Sequence, residues 1–147
     1  MSNGLRLNHI NINGFRPFGT FEAELGSLEV LVGANGSGKS SFFEFLRFLR
    51  DSMTAPIPPE IVAGSLGRGI FHKPGSDEFA WVLYISNKSK SVIYNGSIHG
   101  PVGRPAITSE FAEVPNDYDL LIETNDRGEV IYRSDRKWRS LVLCYCH

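Results

Sequence analysis

Cysteine is nearly missing: the 147 residues hold two, Cys144 and Cys146, one residue apart and followed by His147. Haem attachment needs two residues between its cysteines, and a zinc centre needs more ligands than this tail offers, so neither is expected. No apolar run approaches the roughly 20 residues that cross a bilayer, and the polar opening Met1-Ser2-Asn3-Gly4 lacks the basic and apolar regions of a secretion signal. These absences lead to the expectation of a cytoplasmic chain without a membrane partner. An excess of charge is missing too. Fifteen basic against sixteen acidic side chains leave a formal net charge of -1, which gives no general attraction to nucleic acid or anionic lipid. Partners must be read from local patterns instead. There is no internal repeat and no low-complexity segment. A chain of this length can bury about two-thirds of its unfolded surface in one core, so it folds without cross-links.

What is present is concentrated between Leu28 and Met53. Leu28-Glu29-Val30-Leu31-Val32 is a nearly continuous apolar run, the pattern of a strand covered on both faces. It leads into Gly33-Ala34-Asn35-Gly36-Ser37-Gly38-Lys39-Ser40-Ser41, which fits the phosphate-loop pattern G-x-x-x-x-G-K-S/T at every fixed position. Gly33, Gly36 and Gly38 permit positive φ angles and remove side chains, so successive amides can curl around a polyphosphate. The helix expected to start near Lys39 adds its unpaired N-terminal N-H groups and the positive end of its dipole. In this arrangement Lys39 reaches the β- and γ-phosphates, and the Ser40 hydroxyl is a ligand for Mg2+. That helix carries Phe42, Phe45, Leu46, Leu49 and Met53 along one face, with Phe43 and Phe48 widening the stripe. Such a wide apolar arc predicts packing against a sheet and against a second lobe or chain.

The flanks read as β-structure. Leu5, Leu7, Ile10 and Ile12 alternate with polar residues, but the phase slips near Asn8-His9, which predicts a bulged strand in which His9 has no chemical role. Gly14 to Gly19 reads as a turn, and Thr20 to Leu25 as a half-exposed strand with Phe21, Ala23 and Leu25 inward. The prolines and glycines from Thr54 to Gly69 predict an irregular excursion, in which Arg68, like Lys73 just beyond, is simply solvated. Period-two runs from Phe79 to Ile85 and from Ser91 to Ile98 form a hairpin across Asn87-Lys88-Ser89-Lys90. A further pair flanks Asn125-Asp126-Arg127-Gly128. Leu120-Leu121-Ile122-Glu123 lacks the fourth apolar residue of a Walker B segment and runs at once into a tight turn, so Glu123 is not read as its acid.

The order Ile12-Asn13-Gly14-Phe15-Arg16, a short acidic strand, then Val30 to Ser41 and Phe42 to Leu49 resembles the N-terminal lobe of RecF/SMC-like ABC-class ATPases, in particular the OLD and RecF type. The resemblance is specific over roughly the first fifty residues. It is looser to about Arg133, where Ser109-Glu110-Phe111 and Gly128 to Arg133 look like that family's antiparallel subdomain. It implies an α/β P-loop lobe with a mixed sheet and an antiparallel β extension, incomplete relative to a full ATPase domain. Residues 1–134 would form the lobe, as 1–53 (strands, loop and helix), 54–75 (irregular) and 76–134 (antiparallel β), with 135–147 an atypical tail. It also implies that residues 33 to 41 hold ATP and Mg2+, and that Arg16 reaches the nucleotide from the side. DNA as a partner, and a role in DNA repair or phage defence, come from the resemblance alone.

Hydrolysis in that family needs a glutamine loop, a signature motif supplied across a dimer, a Walker B acid pair and a switch histidine. This chain contains no glutamine, no leucine-serine signature before a helix, and no Walker B segment. The expectation is therefore an ATP-binding lobe that does not hydrolyse without a C-terminal lobe or a second ATPase chain, from a truncated or frame-shifted end. Two alternatives stand beside it: a non-catalytic dimerisation or interaction module, and a small P-loop kinase or GTPase. The hairpins after Gly75 argue against the latter, which needs repeated parallel units.

Overall fold

Alternating apolar and polar residues place one side of each strand in a core, and in this chain they build one long antiparallel sheet. The computed structural model describes residues 4–52, 70–72, 78–88, 90–99, 106–115, 119–124, 130–134 and 137–141. The strands are β1 (Arg6–Phe15), β2 (Phe18–Glu24), β3 (Glu78–Ser86), β4 (Ser91–His99), β5 (Ala106–Val114), β6 (Asp119–Thr124), β7 (Val130–Ser134) and β8 (Lys137–Leu141), with one helix, α1 (Lys39–Ser52), between β2 and β3. They pair in the order β2-β1-β3-β4-β5-β6-β7-β8. The bulge expected near Asn8 is found. The β1–β3 register shifts between Leu7 and His9, and Asn8 uses the irregularity, accepting from Leu25 N at 2.7 Å and from Ser86 Oγ at 2.6 Å.

The core lies where α1 crosses the sheet. Phe42, Phe45, Phe48 and Leu49 are buried against Ile10, Ile12, Phe15, Phe79, Trp81, Leu83 and Ile98. The rings meet mostly edge to face, with Phe45 at 5.3 Å from Phe15 and Phe48 at 5.9 Å from Trp81, the arrangement that ring quadrupoles favour. Trp81 also needs Gly96 opposite it, because a Cβ there would lie 2.4 Å from the indole. At the far end of the helix Asp51 sits against the unfavourable end of the dipole. Bonds from Arg50 and Arg47 offset this and hold its carboxyl below the ordinary carboxylate range.

Three expectations change. First, Leu28–Val32 is not a central strand: it forms no strand, and Leu28, Val30 and Val32 are 84%, 76% and 89% exposed. A both-faces-buried strand needs a hydrogen-bonded neighbour on each side and a layer above and below; among the described residues none is there. Second, the sheet is consequently not mixed, since every pair among the described strands is antiparallel. Third, β1 and β2 run into the expected turn and leave only Arg16 and Pro17 between them. Left-handed φ angles of 78° at Gly14 and 48° at Arg16 reverse the chain in that space.

The widened helix stripe is half right, because Phe48 is buried whereas Phe43 is 59% exposed. Glu123 lies on β6, separated from β1 by β3, β4 and β5, consistent with its not being a Walker B acid. The excursion from Thr54 to Gly69, Lys73, the turn at Asn125 to Gly128, and Cys144, Cys146 and His147 lie outside the described residues. The face of β1 and β2 away from α1 is polar and acidic: His9 donates or accepts at 2.9 Å with Glu22, and Glu24 lies beside it.

Candidate functional site

Between the exposed Leu28–Val32 segment and α1 the chain makes one tight loop. Its conformation depends on two glycines in the left-handed region, Gly36 at φ 84° and Gly38 at φ 96°, which side-chain-bearing residues rarely adopt. A bond from Ser37 N to Ala34 O at 3.2 Å closes the turn, and Phe42 N donates to Gly38 O at 3.0 Å as the helix begins. Among the described residues, no main-chain carbonyl accepts from the amides of Asn35, Gly36, Gly38, Lys39, Ser40 or Ser41. Buried amides left in this state would be costly; here they sit at an exposed helix N-terminus with no acidic side chain in the first turn to compete for them. The loop therefore fits an anionic ligand in its donor set and in its field.

Lys39 is drawn into the same loop. Its ammonium donates to Gly33 O and Ala34 O, both at 2.7 Å, and lies 3.4 Å from Ser37 Oγ. The group is partly exposed and outside the aromatic core, tethered by carbonyls that can return to water when it moves. A phosphate would meet a charge already held at the loop. At Gly33 a Cβ would lie 2.7 Å from the Ser37 hydroxyl, which would have to rotate away from Lys39 to admit it. Ala34, Asn35, Ser37 and Ser40 are exposed beside it, and Ser41 is half-buried.

Arg16 does not point freely at the loop. Its guanidinium pairs with Glu44 on the second turn of α1, and the side chain is mostly buried. What reaches the loop is the turn that Arg16 begins. A Cβ at position 38 would lie 2.7 Å from Phe18 Cε1 and 3.3 Å from Pro17 Cγ. Pro17, Phe18 and Glu44 are thus part of the site's support, which reading the sequence missed. Gly14 to Gly19 reads as a plain turn, and only the proximity of a second aromatic to the phosphate-loop glycine would have marked it.

The two glycines predict different outcomes. Gly36→Ala meets nothing within 4 Å, so its effect is backbone strain of about 1 kcal/mol. Gly38→Ala adds a collision with Phe18 to the same strain and should displace the loop, weakening the binding of any phosphate-bearing ligand there about tenfold more than Gly36→Ala does, the equivalent of about 1.4 kcal/mol. Titration calorimetry on both variants checks this, and equal losses would refute the packing role of Phe18.

Residues 6–120 match a family model described as an AAA ATPase domain. No match was found among the curated proteins.

Proposed function

Because the chain belongs to the AAA ATPase domain family, we propose that it is the ATP-binding lobe of a RecF/SMC-like ATPase, with hydrolysis dependent on a partner lobe or a second ATPase chain. The observation that carries this reading is the loop itself: unspent amides at a helix N-terminus with the Lys39 ammonium already gathered among them. The amides of Asn35, Gly36, Gly38, Lys39, Ser40 and Ser41 would bind the phosphate oxygens, Lys39 would exchange its carbonyl partners for the β- and γ-phosphates, and Ser40 would offer its hydroxyl to Mg2+. Bound Mg2+ supplies neutralisation of the phosphate charge. Arg16 could add a sidelong contact only by leaving Glu44.

Binding and cutting separate here. A loop that positions phosphates lacks, by itself, an acid to hold the metal from below and a group to orient water, and most of the rate in phosphoryl transfer comes from such positioning. The exposed Leu28–Val32 segment supports an apolar contact with such a partner. An apolar run with Val30, Leu31 and Val32 in sequence is suited to the middle of a parallel sheet. The same exposure is what a non-catalytic interaction module would need, so light scattering with and without ATP separates a monomeric binder from a self-pairing module. A role in DNA repair or phage defence rests on the resemblance to RecF/SMC-like ATPases alone; the acidic face formed by Glu22 and Glu24 offers no phosphate contact of its own.

The test is calorimetric titration of Mg-ATP alongside a phosphate-release assay. Saturable binding with negligible turnover is expected. Absence of binding overturns the reading, and sustained turnover by the chain alone overturns its dependence on a partner.

A further inference from the structure

His72 lies outside the phosphate loop, on a short segment that pairs with the β1–β2 turn. Arg16 N donates to Ile70 O at 2.7 Å and His72 N donates to Gly14 O at 2.8 Å, with Phe15 and Phe71 facing as an antiparallel bridge. The imidazole then makes a third link: His72 Nδ1 is 2.7 Å from Arg16 O. A carbonyl only accepts, so Nδ1 carries the hydrogen and donates it. On its other side the ring lies over Gly19, where a Cβ would be 3.2 Å from Nε2. The ring therefore fills the space above the start of β2 and ties down Arg16, the one non-glycine residue in the left-handed region among the described residues.

That residue begins the turn that touches the loop. Pro17 and Phe18 follow it and press on Gly38, and the Arg16 side chain pairs with Glu44 on α1. The sequence of contacts is thus His72 to the Arg16 carbonyl, through Pro17 and Phe18 to Gly38. A left-handed arginine is strained and persists only where its surroundings hold it. Without the imidazole bond the turn has a cheaper alternative, and the wall behind Gly38 moves with it.

We propose that His72 is a positioning residue for the nucleotide, setting the phosphate loop's shape by fixing the main chain of the β1–β2 turn. This rests on the ATP-binding reading above. An asparagine amide places its nitrogen the same number of bonds from Cα as Nδ1, whereas glutamine places it one bond further, where Nε2 stands. Donation to Arg16 O is therefore available to Asn and misplaced in Gln.

The experiment is calorimetric titration of Mg-ATP into the full chain and into His72→Ala, His72→Asn and His72→Gln, each at a temperature well below its own melting midpoint. His72→Ala and His72→Gln should bind about tenfold more weakly, the scale of one lost hydrogen bond transmitted to the loop, and His72→Asn within about twofold of the parent. A merely structural role would lower the melting midpoint in all three without this ordering. Parent-like binding by His72→Ala overturns the proposal, as does rescue by Gln but not by Asn; should the alanine variant fail to fold, the Asn and Gln pair decides. If the parent chain itself does not bind Mg-ATP, the ATP-binding reading falls and this one with it, an outcome distinct from binding that is indifferent to position 72.

Discussion

Mg-ATP is expected to raise the melting temperature of the parent protein, and Lys39→Ala is expected to erase that rise. A ligand present at a hundredfold its dissociation constant adds about 2.7 kcal/mol to stability, which for a domain of this size is roughly 6 to 10 °C. Without ligand the variant should melt close to the parent, within about 0.5 kcal/mol. The ammonium is bonded to the carbonyls of Gly33 and Ala34 in an exposed loop, and water can replace it there. The contrast between a small effect without nucleotide and complete loss with it is the signature of a ligand-directed charge. Differential scanning fluorimetry over a nucleotide titration reads both. A variant that keeps the full shift would show that the loop amides bind without Lys39, and a variant destabilised without ligand would show that the lysine holds the loop up. Lys39→Arg should not rescue, because a planar fork cannot take the place of a compact point charge among those carbonyls.

How much of this was legible beforehand varies by element. The loop's backbone was, because phosphate binding constrains residue identity at fixed spacing, and Gly36 and Gly38 adopt the positive φ angles that their place in the pattern allows, while Lys39 is bonded to the loop's own carbonyls. The β3–β4 hairpin was legible for a similar reason: period two survives wherever one face is buried, and Phe79, Trp81 and Leu83 are the buried set. Leu28–Val32 was misread because apolar character states what a segment needs and not whether the chain supplies it. The turn at Arg16 was expected in the right place but too wide, because Gly14 and Pro17 look like breakers, whereas a left-handed arginine held by residues 70–72 lets both strands continue to within two residues of each other. His72 had no local signal whatever. Its partner is distant in sequence, and a lone histidine in a loop carries no pattern.

Phe45→Ala is expected to cost about 3 to 5 kcal/mol, the usual range for removing a buried aromatic ring. Phe45 is fully buried and contacts Phe15, Phe48 and Trp81. These surround it from the helix, from β1 and from β3, so the surroundings cannot close on the vacancy from one side. The melting midpoint should fall by roughly 10 °C or more. Phe43→Ala is the comparison. It removes the same ring from the same helix, two residues away, but from a side chain that is 59% exposed, so stability should change by no more than about 0.5 kcal/mol. Chemical denaturation of the two variants checks the pair. Similar losses would mean that α1 is seated on the sheet by a different face.

The indole of Trp81 has an optical consequence. It lies flat against Gly96, with the rings of α1 on it and its Nε1 without a partner among the described residues. An indole so dry emits at short wavelength, and its colour and intensity depend on how firmly the helix rests there. That helix begins at Lys39. The protein thus carries its own fluorophore beneath the element that would feel a nucleotide arrive.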